Sequence, residues 1–142
     1  MKRKCGDCTK CCEGNLSGNA LGHSFYPGKP CHFISIGQGC TVYEKRPIEP
    51  CVTYKCLWLS DENIPEWFKP NEINAILDTR KIENIDYINV LEAGETLRAD
   101  VLSWVIMYAL NNGLNLRWTI KNGSNYIGSS EFLEVMNRQN LQ

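Results

Sequence analysis

The sequence predicts an α+β protein in which a loop-rich N-terminal cysteine module packs on a small C-terminal α+β unit. All eight cysteines fall within residues 1–56. The same segment is punctuated by Gly6, Gly14, Gly18, Gly22, Pro27, Gly28, Pro30, Gly37, Gly39, Pro47 and Pro50, which leaves little room for long helices or strands. Beyond Cys56 the pattern changes to runs of helical and strand periodicity. The boundary is therefore drawn there, with residues 1–57 as the cysteine module and 58–142 as the α+β unit, packed together as one compact domain.

The second part opens with LWLSDENIPEWF, where Leu57, Trp58, Leu59, Trp67 and Phe68 are expected to pack the module onto its neighbour. A short helix is predicted over 71–78, with Asn71 as N-cap, Glu72 near the positive end of the dipole, and Ile73, Ile76 and Leu77 on one face. YINVLEA, residues 87–93, reads as a strand. The strongest helix signal spans 97–112, where Leu97, Val101, Leu102, Trp104, Val105, Ile106, Tyr108, Ala109 and Leu110 form a wide apolar face. Gly113 is placed to end it in the left-handed conformation. Leu114, Leu116, Trp118 and Ile120 then alternate with polar residues, as in a strand with one buried face. Lys121-Asn122-Gly123-Ser124 reads as a hairpin turn into a strand around Tyr126 and Ile127. A last helix over 130–138 carries Phe132, Leu133 and Met136 as its buried stripe, with Ser129 or Ser130 as cap.

Composition narrows the function classes. A hydrophobic content of 43% and a charged content of 22% belong to a globular chain. A net charge of −1 gives no basic footprint, so neither nucleic acid nor a membrane is expected as a partner, whereas a protein partner stays open. Lys2, Arg3 and Lys4 read as a solvated positive tip. The most apolar stretch, VLSWVIMYAL, is far shorter than the roughly 20 residues that cross a bilayer. MKRKCGDC passes directly from basic to cysteine-rich sequence without an apolar h-region, which predicts a cytoplasmic protein. In a reducing compartment, clustered thiols serve metal binding or redox chemistry more often than structural disulfides. A loop-rich segment of this size cannot offset its chain entropy by burial, so metal bonds, disulfides or docking must hold it.

The thiols follow a specific pattern. Cys5, Cys8 and Cys11 make two Cys-x-x-Cys turns that share a cysteine, a run closer to bacterial ferredoxins than to paired zinc-finger knuckles. Cys11 and Cys12 are adjacent, so their side chains diverge and two sites, or one site and a spare thiol, are expected. Cys31, Cys40, Cys51 and Cys56 bring the total to two possible four-cysteine sites, with the division left open. His32, next to Cys31, is a further candidate ligand, and His23 is expected to be an exposed loop residue. Lys2, Arg3, Lys4, Lys10, Lys45 and Arg46 could lower the thiol pKa values or could be plain surface charge.

The combination CTKCC, PGKPC and GCTVYEKRPIEPC, ending in YKC, resembles the YkgJ-like cysteine-cluster family of zinc- or iron-chelating domains over residues 5–57. The resemblance places Cys8, Cys11, Cys12, Cys31, Cys40 and Cys51 at the family's cysteine positions and Cys5 and Cys56 at its variable outer ones. Tyr43, Arg46 and Pro47 match its aromatic and Arg-Pro motif and would flank the ligands. Metal chelation is what the resemblance implies. Some larger relatives are flagellin lysine N-methylases, but residues 58–142 show no glycine-rich strand-to-helix loop for S-adenosylmethionine, so methylation is not expected of this chain.

No GxSxG, GxxxxGK[ST], HExxH or GxGxxG motif occurs, and no catalytic residue is predicted. Glu62, Glu66, Glu72, Asp78, Asp86, Glu92, Glu95 and Asp100 read as solvated surface, and Trp58, Trp67, Trp104 and Trp118 as packing residues. The expectation is a protein holding zinc, as two ions, through cysteine in a structural or interaction role. The alternatives are an iron–sulfur protein of electron-transfer, redox or S-adenosylmethionine-linked function, and a thiol redox sensor or metal carrier.

Overall fold

A computed structural model describes residues 3–13, 15–120 and 123–140; Lys2, Gly14 and both Lys121 and Asn122 of the expected hairpin turn lie outside the described residues. The described residues between 3 and 56 contain only short strands and single turns. Two small antiparallel pairs occur, β1 (Gly18–Ala20) with β2 (His23–Phe25) and β3 (Ile34–Ser35) with β4 (Gly39–Cys40). The recurrent glycines and prolines account for this brevity, since few backbone stretches escape a turn-forming residue.

Two one-turn helices, α1 (Leu57–Ser60) and α2 (Pro70–Ile73), lead into a four-stranded sheet. Its strands are β5 (Ala75–Ile82), β6 (Ile85–Glu92), β7 (Leu116–Ile120) and β8 (Gly123–Ile127), in that spatial order. β5–β6 and β7–β8 are antiparallel pairs, whereas β6 and β7 run parallel, joined through α3 (Ala99–Asn112). A parallel pair needs such a crossover, and the long helix supplies it. The chain closes with α4 (Ser130–Asn140).

Side chains alternate between the two faces of the sheet. On one face Leu77, Ile88, Val90 and Leu116 meet Val101, Val105 and Ala109 of α3 in the main core. On the other, Tyr87 meets Phe132 and Met136 of α4. Ile76 and Asp78 share this second face, where Tyr54 of the cysteine module reaches Asp78. The module and α4 therefore cover the face opposite α3. Leu57, Trp58 and Phe68 are buried in the main core and join the module to the sheet, but Trp67 is exposed.

The helix expected over 71–78 is largely a strand. Asn74 adopts the left-handed conformation at φ 54°, which stops α2 after one turn, and Ala75 onward pairs with β6 instead. Burial of Ile76 and Leu77 on opposite faces is a strand property that helical spacing imitated. The strand over 87–93 is present as Ile85–Glu92, and α3 matches its expectation closely, with Gly113 left-handed at φ 63° just beyond its end. Leu110 and Leu114 are nevertheless exposed, and in α4 Val135 rather than Leu133 joins the buried stripe. Ser129 caps α4, accepting the Phe132 amide at 3.2 Å.

Three charges expected at the surface are not there. The Arg3 side chain is largely covered: its guanidinium donates to the carbonyls of Trp58 (2.6 Å), Asp61 (3.2 Å) and Ile64 (2.6 Å) and lies over the Trp58 ring. Asp78 is 4% exposed, held between Tyr54 and Arg80. Glu92 is half-buried and accepts the Leu97 amide at 2.7 Å. Each is drawn in because it satisfies groups that packing removes from water.

Candidate metal centre

The cysteines are delivered by turns rather than by long elements. Gly6, at φ 58°, allows the tight bend in which the Cys8 amide donates to the Cys5 carbonyl at 2.9 Å. Lys10, Cys11 and Cys12 form one 3-10 turn, tied back by the Cys12 amide to Thr9. The Cys31 amide donates to the Cys12 carbonyl at 2.7 Å, fixing these two cysteines side by side. Cys40 stands on β4 directly opposite Ile34 of β3. Cys51 lies in the turn Ile48–Val52, and Cys56 precedes α1.

Tyr43 and Arg46 brace this arrangement. The Cys5 amide donates to the Tyr43 hydroxyl at 3.3 Å. Arg46 donates to the Tyr43 carbonyl at 2.9 Å, and its guanidinium lies 3.9 Å from the centre of the Tyr43 ring. The two residues thus brace the single turn Tyr43–Lys45, whose Tyr43 hydroxyl meets Cys5.

All eight cysteines line one cavity of about 150 Å³, and none is in a disulfide. Leu16, Phe25, Phe33 and Ile34 supply much of its remaining wall, Arg46 is its one cationic lining residue, and no carboxylate or imidazole lines it. Such a donor set suits soft or borderline metals and offers little to oxygen-seeking cations. Among the described residues, no three Cys, His, Asp or Glu side chains form a ready metal-holding group; the thiols are distributed around the cavity.

Burial and mutual repulsion raise five of these thiols above the ordinary thiol value. Burial, then the neighbouring Cys56, Cys12, Cys8 and Cys5, push Cys11 far up. Burial, then Cys31, Cys51, Cys40 and Cys5, push Cys12 up to about 12. Cys56 is pushed up to about 11, chiefly by burial, and burial also raises Cys8 and Cys51. Of the two readings open for the nearby lysines and arginines, a net lowering does not hold at these five: Arg46 pulls against the rise at Cys51 and Lys69 at Cys8, but desolvation wins. Lys69 was not foreseen as a neighbour of the thiols; it pairs with Asp7 at 2.5 Å.

Tyr54 connects the cavity to the sheet. It lines the cavity and donates to Asp78 at 2.9 Å, while Arg80 grips both oxygens of that carboxylate. His32 is outside the cavity wall: it is exposed, and its ring stacks on that of His23 at 4.1 Å. The structure thus gathers the eight predicted cysteines with Tyr43 and Arg46, leaves His32 aside, and adds Tyr54, whose place next to Lys55-Cys56 was the only signal available.

No family model matches the chain, and no curated protein or solved structure is significantly similar to it. Among the described residues no helix is long and apolar enough to cross a membrane.

Proposed function

We propose that this chain is a cytoplasmic metal-binding protein, similar to the YkgJ-like family, whose N-terminal module holds two zinc ions through cysteine thiolates in a structural or protein-interaction role. One observation carries the reading: eight cysteines spread from position 5 to position 56 all line a single cavity that no carboxylate or imidazole lines. Bound zinc would cross-link turns that have little core of their own and would offset the charge of the thiolates it deprotonates. The residues that would hold it are Cys5, Cys8, Cys11, Cys12, Cys31, Cys40, Cys51 and Cys56.

A second reading, an iron–sulfur group, is favoured by the size of the cavity. A zinc–sulfur distance of about 2.3 Å needs little free space, whereas an inorganic cluster fills more. Metal and acid-labile sulfide analysis of anaerobically purified chain, with its visible spectrum, separates the two. Two equivalents of zinc in a colourless protein support the first reading. Brown protein with iron and sulfide supports the second, and metal-free protein with paired cysteines overturns both. Chelation of a structural zinc should unfold residues 5–57, read as loss of amide protection there.

A further inference from the structure

The cavity is shared, but its cysteines are not packed as one group. Cys56 is buried in the main core, with Cys11 against it. Cys31 is buried in a separate small core with Ala20 and Phe25, and Cys12 and Cys51 pack there. The divide falls between two consecutive residues, because successive side chains on the Lys10–Cys12 turn diverge. Backbone contacts extend both groups. The Cys5–Cys8 bend carries its two thiols together and leads directly into Cys11. On the other side, the Cys31 amide is bonded to the Cys12 carbonyl, and the Ile34 amide to the Cys31 carbonyl. Cys40 is the antiparallel partner of Ile34, so its side chain lies on the same face as an Ile34 that packs in the small core.

We infer that the module carries two separate four-thiolate sites, Cys5, Cys8, Cys11 and Cys56 in one and Cys12, Cys31, Cys40 and Cys51 in the other, joined at the Cys11–Cys12 peptide bond. This assignment rests on the metal-binding reading above and specifies what it leaves open. Each site combines ligands from the start of the module with ligands much later in sequence. The first ties the N-terminal turns to the sheet through Cys56; the second closes the module on itself. Neither site takes His32.

The test uses the wild-type chain loaded with two equivalents of cadmium-113, followed by proton–cadmium correlation through the cysteine β protons. The expected spectrum has two cadmium resonances, one correlated with Cys5, Cys8, Cys11 and Cys56 and the other with Cys12, Cys31, Cys40 and Cys51. A resonance correlated with cysteines of both sets, or with His32, overturns the division while leaving metal binding intact. Failure of the chain to take up cadmium, with zinc and iron also absent from the purified protein, overturns the metal-binding reading itself. As a second readout, Cys51→Ser and Cys56→Ser should each perturb a different resonance; perturbation of the same one by both refutes the assignment.

Discussion

Arg3 is the most informative single position for stability. Its side chain is 9% exposed and donates to three backbone carbonyls in the segment from Trp58 to Ile64, whereas its carboxylate partner Glu66 is 81% exposed. A hydrogen bond from a charged donor contributes about 1.5–3 kcal/mol, and three made by one group are not additive. Replacing Arg3 by Met keeps the apolar stem over Trp58 but leaves the carbonyls without their donor. We expect a loss of about 3 kcal/mol, with Glu66→Ala costing less than about 1 kcal/mol because that pair is solvent-screened. In urea unfolding followed by tryptophan fluorescence, Arg3→Met should lower the midpoint by about 1–3 M. The reasoning is refuted if Arg3→Met is within about 0.5 kcal/mol of the parent, or if Glu66→Ala costs as much.

Other expectations address the remaining layers. Asp78→Ala strands the Tyr54 hydroxyl and the Arg80 guanidinium and should cost about 3 kcal/mol, against about 1 kcal/mol for Tyr54→Phe, compared by thermal unfolding. Phe132→Ala opens a cavity beneath α4 against Tyr87 and should cost about 3–5 kcal/mol in denaturant titration; a change below 1 kcal/mol contradicts the packing described. Gly39 has φ 131°, and a Cβ there would stand 2.6 Å from the Gly6 carbonyl oxygen. Gly39→Ala should therefore push β4 outward, detected as faster alkylation of Cys40 in the metal-free chain. Tyr108 is raised above the ordinary phenol value, first by burial and then by the Asp61 carboxylate that accepts its proton. The folded state then holds this proton more tightly than the unfolded one, so the contribution is complete below about pH 10 and is lost as pH rises further. Urea midpoints between pH 9 and 11 should fall less steeply for Tyr108→Phe than for the parent.

Much of this was legible because local chemistry and global packing agree. The Leu97–Asn112 periodicity with Gly113 behind it gave α3 to within two residues, and alternation around Trp118 gave β7. β5 was misread since Ile73, Ile76 and Leu77 satisfy helical spacing equally well; the deciding facts were the left-handed Asn74 and a pairing partner supplied by β6. The cysteines announced themselves as residue types. Their grouping did not, because it depends on which of two neighbouring side chains enters which core. Arg3 and Asp78 were hidden for a related reason: only tertiary contacts distinguish a charge that satisfies buried carbonyls or hydroxyls from one in water.

The sulfur-lined wall also bears on competition. Calcium and magnesium seek several oxygen ligands, and this cavity presents no carboxylate. Large excesses of either ion around the chain would leave its thiols uncontested. The contest is confined to thiophilic metals, and among these the affinity ranking of a sulfur site is fixed largely by the metals themselves. On the metal-binding reading proposed above, the metal carried would be decided by what the cell supplies and by how far the eight sulfurs can be drawn together.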